Sequence, residues 1–90
     1  MSLIRMYCTG ICPYCDRAER LLVRKGVGDQ IEKIRVDHDH GAMTEMITRT
    51  RRRTVPQIFI GERHVGGFDD LVELDMEGEL DELLSGLNLA

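Results

Sequence analysis

No stretch of this sequence approaches the roughly 18 consecutive apolar residues of a membrane-spanning helix, so no span and no membrane partner are expected. The opening residues, Met1 to Cys8, lack the apolar run and small-residue cleavage site of a secretory leader, which makes a cytoplasmic setting the expectation. Repeats, low-complexity tracts and linker-like composition are also missing, so residues 1–90 are expected to form one domain. Cysteine is scarce: there are three, all between positions 8 and 15. In a reducing compartment such cysteines are expected to be catalytic or metal-binding, not structural disulfides. No second cysteine pair exists, so a zinc site would have to recruit His38, His40 or His64.

Basic residues are absent from the C-terminal part. From Asp69 onward there are eight acids and no lysine or arginine, and the net charge of −4 argues against general nucleic-acid binding. Cations gather instead at Arg49, Arg51, Arg52 and Arg53, just ahead of Thr54-Val55-Pro56. Such a run is either a solvated helix end or a patch that faces an anion.

The elements that are present fit a small globular core, with 42% hydrophobic residues. Leu3–Tyr7 reads as a strand. Pro13 suits a first helical turn, and Ala18, Leu21, Leu22 and Lys25 continue at helical spacing until Gly26 stops them. Ile31–Val36 reads as a second strand, followed by turn chemistry at 37–41 and a helix with Met43, Met46 and Ile47 as its buried stripe. Gln57–Ile60 and His64–Val65 form an expected hairpin that Gly66-Gly67 interrupts. Asp69 or Asp70 then caps a helix through Leu71, Val72 and Leu74, and a short helix carries Leu80, Leu83 and Leu84. The order β-α-β-α-β-β-α, with C-x-x-C after the first strand, is the context of a thioredoxin-like site.

In that frame Cys12 caps the first helix, where backbone N–H groups without helical partners point at its sulfur and stabilise a thiolate. A fall of about two pKa units from roughly 8.5 raises the thiolate fraction at neutral pH from about 3% to about 75%, while nucleophilicity falls roughly eightfold. The net gain as attacker is modest; the larger gain is a good leaving group. Cys15, one turn further in, is placed to resolve a mixed disulfide on Cys12. Cys8 shares a strand face with Ile4 and Met6 and is expected in the core. The three-cysteine spacing also matches a radical-SAM cluster motif, which fails because that chemistry resembles families built on a much larger barrel.

Cys12-Pro13-Tyr14-Cys15, Thr54-Val55-Pro56-Gln57-Ile58-Phe59-Ile60 and Gly66-Gly67-Phe68-Asp69-Asp70-Leu71 together resemble a bacterial dithiol glutaredoxin, in order and spacing over nearly the whole chain. The resemblance implies an α/β thioredoxin fold with a four-stranded mixed sheet, order 2-1-3-4, flanked by helices, and a cis Pro56. It implies glutathione-dependent thiol–disulfide exchange, with Cys12 and Cys15 catalytic. It also implies a glutathione groove on Thr9, Tyr14, Arg52, Arg53, Thr54, Val55, Pro56, Gly67, Phe68 and Asp69, the helix start at Phe68 and Asp69 taking the γ-glutamyl carboxylate. Glutathione would be a co-substrate, with no tightly bound cofactor and no metal. Partners would be disulfide-bearing or glutathionylated proteins, ribonucleotide reductase among them, and the chain a monomer. Two positions depart from the pattern: Thr9 stands where a basic residue is usual, and Phe68 where related bacterial members often have cysteine. Other readings are a carrier of a glutathione-ligated [2Fe–2S] cluster and an electron donor recycled by thioredoxin reductase.

Overall fold

The computed structural model describes residues 3–87. Strand β1, Ile4–Cys8, begins and ends one residue later than its apolar run predicts. Its alternation holds: Ile4, Met6 and Cys8 enter one core, while Tyr7 enters the other. β1 pairs in parallel with β2, Ile31–Arg35, and antiparallel with β3, Gln57–Ile60, which pairs antiparallel with β4, Arg63–Gly66. The sheet order is therefore 2-1-3-4, as expected. Gly66 does not interrupt the hairpin but pairs opposite Ile58, at φ 115°, beside a register shift between Ile58 and Phe59.

Parallel pairing of β1 with β2 requires a crossover, which helix α1, Pro13–Arg24, provides. Cys15, Ala18, Leu21 and Leu22 are its buried face. At its end Gly26 takes φ 82°, donates to Val23 O at 2.9 Å, and lets Val27 N–H reach Leu22 O at 3.1 Å. That pair of bonds around a left-handed glycine is a Schellman ending.

Helix α2, His40–Thr50, is capped by Asp39, whose Oδ1 accepts from Gly41 and Ala42 N–H at 2.9 and 3.3 Å. Its buried face is Ala42, Met46 and Thr50, rotated from the expected Met43, Met46 and Ile47, which leaves Met43 and Ile47 half-buried. A row at four-residue spacing fits this helix, because small Ala42 lies close to the sheet and Thr50 Oγ1 donates to Met46 O at 2.7 Å, satisfying its hydroxyl.

Helix α3, Phe68–Met76, starts earlier than either aspartate predicts, with extended Gly67 as its cap; Asp70 reaches back from the third position to accept Gly67 N–H at 2.8 Å. Gly78, at φ 79°, separates it from helix α4, Glu79–Gly86.

The layers follow. Ile58 and Ile60 of β3 join α1, α3 and α4 in one core, while Phe59 joins Tyr7, Ala42 and Met46 under α2. Burying each of Leu22, Ile58, Ile60, Leu71, Leu80 and Leu84 stabilises the fold by roughly 1.5–3 kcal/mol before entropy is counted. Among the described residues no helix is long and apolar enough to cross a membrane.

Candidate active site

β1 delivers the chain to a short loop, Thr9–Ile11, that ends at Cys12. Cys12 is extended, φ −150° and ψ 97°, and its Sγ accepts the Cys15 N–H at 3.1 Å. Pro13 holds the first helical position and loses no hydrogen bond there. The turn brings the Cα atoms of Cys12 and Cys15 to 5.2 Å, and the two are joined as a disulfide. Cys12 is 8% exposed and Cys15 lies deeper. Once reduced, Cys12 carries its sulfur where the helix N-terminus favours negative charge. Cys8 is buried and unpaired, and burial pushes its thiol up despite the lowering influence of Lys33 and Arg35. It stays protonated and apart from the pair.

The second wall is the Val55–Pro56 stretch, where the peptide bond is cis, as expected. Val55 O lies 4.0 Å from Cys12 Sγ, and Val55 N–H has no partner among the described residues. Gln57, fully buried, holds this stretch from beneath. Its Nε2 donates to Thr54 O and Oγ1 at 3.1 and 3.2 Å, and its Oε1 lies 2.8 Å from His64 Nε2. Because Oε1 can only accept, Nε2 carries the proton. Burial, and then Arg52, lower the His64 pKa and keep its ring neutral near pH 7.

The third wall is the start of α3. Arg52 Nη1 donates to Asp70 Oδ2 at 2.9 Å, beside the bond from Gly67 N–H to the same oxygen. The Arg52 hydrogen bond, then that of Gly67, hold the Asp70 carboxyl below its usual range. Phe68 and Asp69, the first residues of the helix, have no acceptor one turn back for their N–H groups.

Between these walls lies a groove of about 400 Å³, lined by Tyr14, Arg52, Thr54, Val55, Pro56, Gly67, Phe68, Asp69 and Asp70. The expected groove residues are all among them except Thr9 and Arg53. Thr9 Oγ1 turns to Ile11 O at 3.4 Å, and Arg53 is exposed outside the lining. Arg52, through Asp70, sits at the α3 end and not beside Thr9. Asp70, Gln57 and His64 were missed as parts of the site: the aspartate reads as a helix cap, and the other two as alternating strand residues. A larger depression, about 500 Å³, runs along the outer face of α1 against Asp16, Glu19, Arg20, Val23 and Arg24, with no cysteine in its lining.

A family model described as Glutaredoxin matches residues 4–65. The chain belongs to the glutaredoxin family. It is 53% identical over 85 residues to a glutaredoxin of Neisseria meningitidis serogroup A, covering 94% of this chain and 99% of that one. Against glutaredoxin 3 of Escherichia coli K12 it is 48% identical over 84 residues, covering 93% and 99%. A buckwheat glutaredoxin solved in complex with glutathione superposes with a TM-score of 0.87 at 27% identity, covering 97% of this chain and 80% of that one. As a glutaredoxin-family member with its redox-active pair in C-x-x-C arrangement, the chain is a thiol–disulfide oxidoreductase of thioredoxin-like fold.

Proposed function

We propose that the chain, acting as one domain and as a monomer, reduces protein disulfides and glutathionylated cysteines at the expense of glutathione. The observation that carries this reading is the pairing of two helix starts. One holds Cys12 beside its resolving partner; the other faces the adjoining groove with free N–H groups suited to a carboxylate.

The Cys12 thiolate attacks one sulfur of the client's disulfide, forming a new S–S bond as the old one breaks and the client's other sulfur leaves as a thiolate that takes a proton from solvent. If the client was glutathionylated and glutathione stays on Cys12, a second glutathione attacks it, releasing glutathione disulfide and restoring the thiolate. If the client was an internal disulfide, Cys15 attacks Cys12 Sγ, frees the reduced client and leaves the Cys12–Cys15 disulfide, which two glutathione molecules reduce. Phe68 and Asp69 N–H receive the γ-glutamyl carboxylate, and the free edge of Val55 pairs with the cysteinyl backbone. Because Arg52 is engaged by Asp70, Arg53 is the guanidinium left to reach the glycine carboxylate from outside the lining, and Thr9 becomes a neutral donor only by turning its hydroxyl away from Ile11 O. Support for glutathione comes from the buckwheat relative that binds it.

Cys15→Ser is expected to keep deglutathionylation and lose most reduction of protein disulfides, while Cys12→Ser loses both. The assay couples turnover to glutathione with glutathione reductase, and in parallel to thioredoxin reductase. Equal loss of both activities in Cys15→Ser, or turnover with thioredoxin reductase alone, would overturn the proposal.

A further inference from the structure

Ile11, directly before Cys12, is 95% exposed and lies outside the groove, so neither the core nor a groove-bound tripeptide uses it. On the other side of the cysteine, Tyr14 is 53% exposed and carries the Arg17 guanidinium 5.3 Å from its ring centroid. Among the described residues Arg17 has no acidic partner. One exposed aliphatic side chain means little by itself. Here it directly precedes a reactive cysteine whose sulfur lies 4.0 Å from the carbonyl of the unpaired Val55 edge, and whose helix carries an uncompensated cation held on an aromatic ring.

The geometry points to a docking surface for protein clients outside the groove: an extended segment with an apolar residue next to its cysteine, seated on Ile11, and an acidic residue facing Arg17. This rests on the exchange reaction proposed above. Val55 sets the extended form, Ile11 the apolar neighbour, and the free guanidinium the acidic sign. A second copy of the chain does not fit, because its acids from Asp69 onward carry no cysteine and its cysteines, at most 8% exposed, are buried in the fold and not offered on an extended segment. The Ile11 side chain is not part of the groove lining, so glutathione and small mixed disulfides seated in the groove do not depend on it, and the surface acts on larger clients alone.

The test uses glutathionylated peptides with Leu or Ser before the cysteine and Glu or Lys beyond it, alongside the mixed disulfide of glutathione and 2-mercaptoethanol. Wild type is expected to favour the Leu–Glu peptide in kcat/KM by about fivefold to tenfold over either single change, the range that partial burial of an aliphatic side chain or one charge contact gives. Ile11→Ser should erase the Leu preference and leave the small mixed disulfide within about twofold. Arg17→Gln should erase the Glu preference and its salt sensitivity, and Arg17→Lys should retain most of it. Equal slowing of every substrate by Ile11→Ser would mean that Ile11 only shapes the cysteine loop, and would overturn the docking surface. A wild type that turns over the small mixed disulfide but ignores peptide composition would also overturn it. Failure on the small mixed disulfide would bring down the exchange reading, and this inference with it.

Discussion

At the scale of single residues, Asp70 closes the start of α3 and holds Arg52, using one oxygen for both. The two side chains are 47% and 40% exposed, so their ion pair contributes at most about 1 kcal/mol. Asp70→Asn should therefore lower stability by about 0.5–1 kcal/mol at pH 7. The sign with pH follows from the lowered carboxyl: the contribution is complete above the unfolded value of roughly 3.9 and is lost as pH falls through the folded value. Urea melts should show the gap between wild type and variant narrowing as pH falls below about 3.9. Cys8 makes the opposite case, a cysteine whose value is packing. Cys8→Ser puts a hydroxyl among Ile4, Met6 and Ile58 and should cost about 1–3 kcal/mol with turnover unchanged. In the oxidised wild type the same thiol should resist alkylation until the protein is denatured, which mass measurement of the alkylated protein would read.

Among the elements, α1 combines a catalytic start with a purely conformational end. Gly26 has nothing within 4 Å of where a side chain would begin, so Gly26→Ala meets only the strain of a left-handed backbone. It should cost about 1–2 kcal/mol in denaturant midpoint and leave exchange rates alone. Elements of this kind were legible in the sequence. The alternation of Ile4, Met6 and Cys8, the proline at position 13 and the glycine at 26 act through neighbours a few residues away, and they put Cys8 in the core and Cys12 at a helix start. The burial face of α2 was not legible, because it is chosen by Tyr7 and Phe59 on strands distant in sequence. Nor was the bond between Arg52 and Asp70, eighteen residues apart, or the chain from His64 through Gln57 to Thr54, which exists only once β3 and β4 pair. The cis Val55–Pro56 bond and the groove were expected from resemblance and not from spacing, since no local pattern distinguishes them from an ordinary turn before a strand.

Across the whole molecule, Lys25 links the helix of the cysteines to the helix of the free N–H groups. Its Nζ lies 2.7 Å from Asp75 Oδ1 and 2.9 Å from Asp81 Oδ1, at the end of α1 far from Cys12. Lys25→Met touches nothing in the groove, yet it should raise the apparent KM for glutathione about twofold by loosening α3 against α1, a loss at the low end of those seen when binding geometry relaxes. The hydrogen bonds that Lys25 donates to Asp75 and Asp81 raise its pKa, so its contribution is complete below the unfolded value of roughly 10.4 and fades as pH climbs through the folded one. Wild type and Lys25→Met should accordingly converge in alkaline melts. The sheet order has a further consequence at this scale. Its outermost strands are β2, with Glu32, Lys33 and Arg35, and β4, with Arg63. Charged side chains along exposed strand edges discourage zipper-like aggregation, because pairing there would strip ions of their water. An unfolded stretch drifting against this sheet meets charge at both rims, while the unpaired N–H of Val55 stands beside a disulfide.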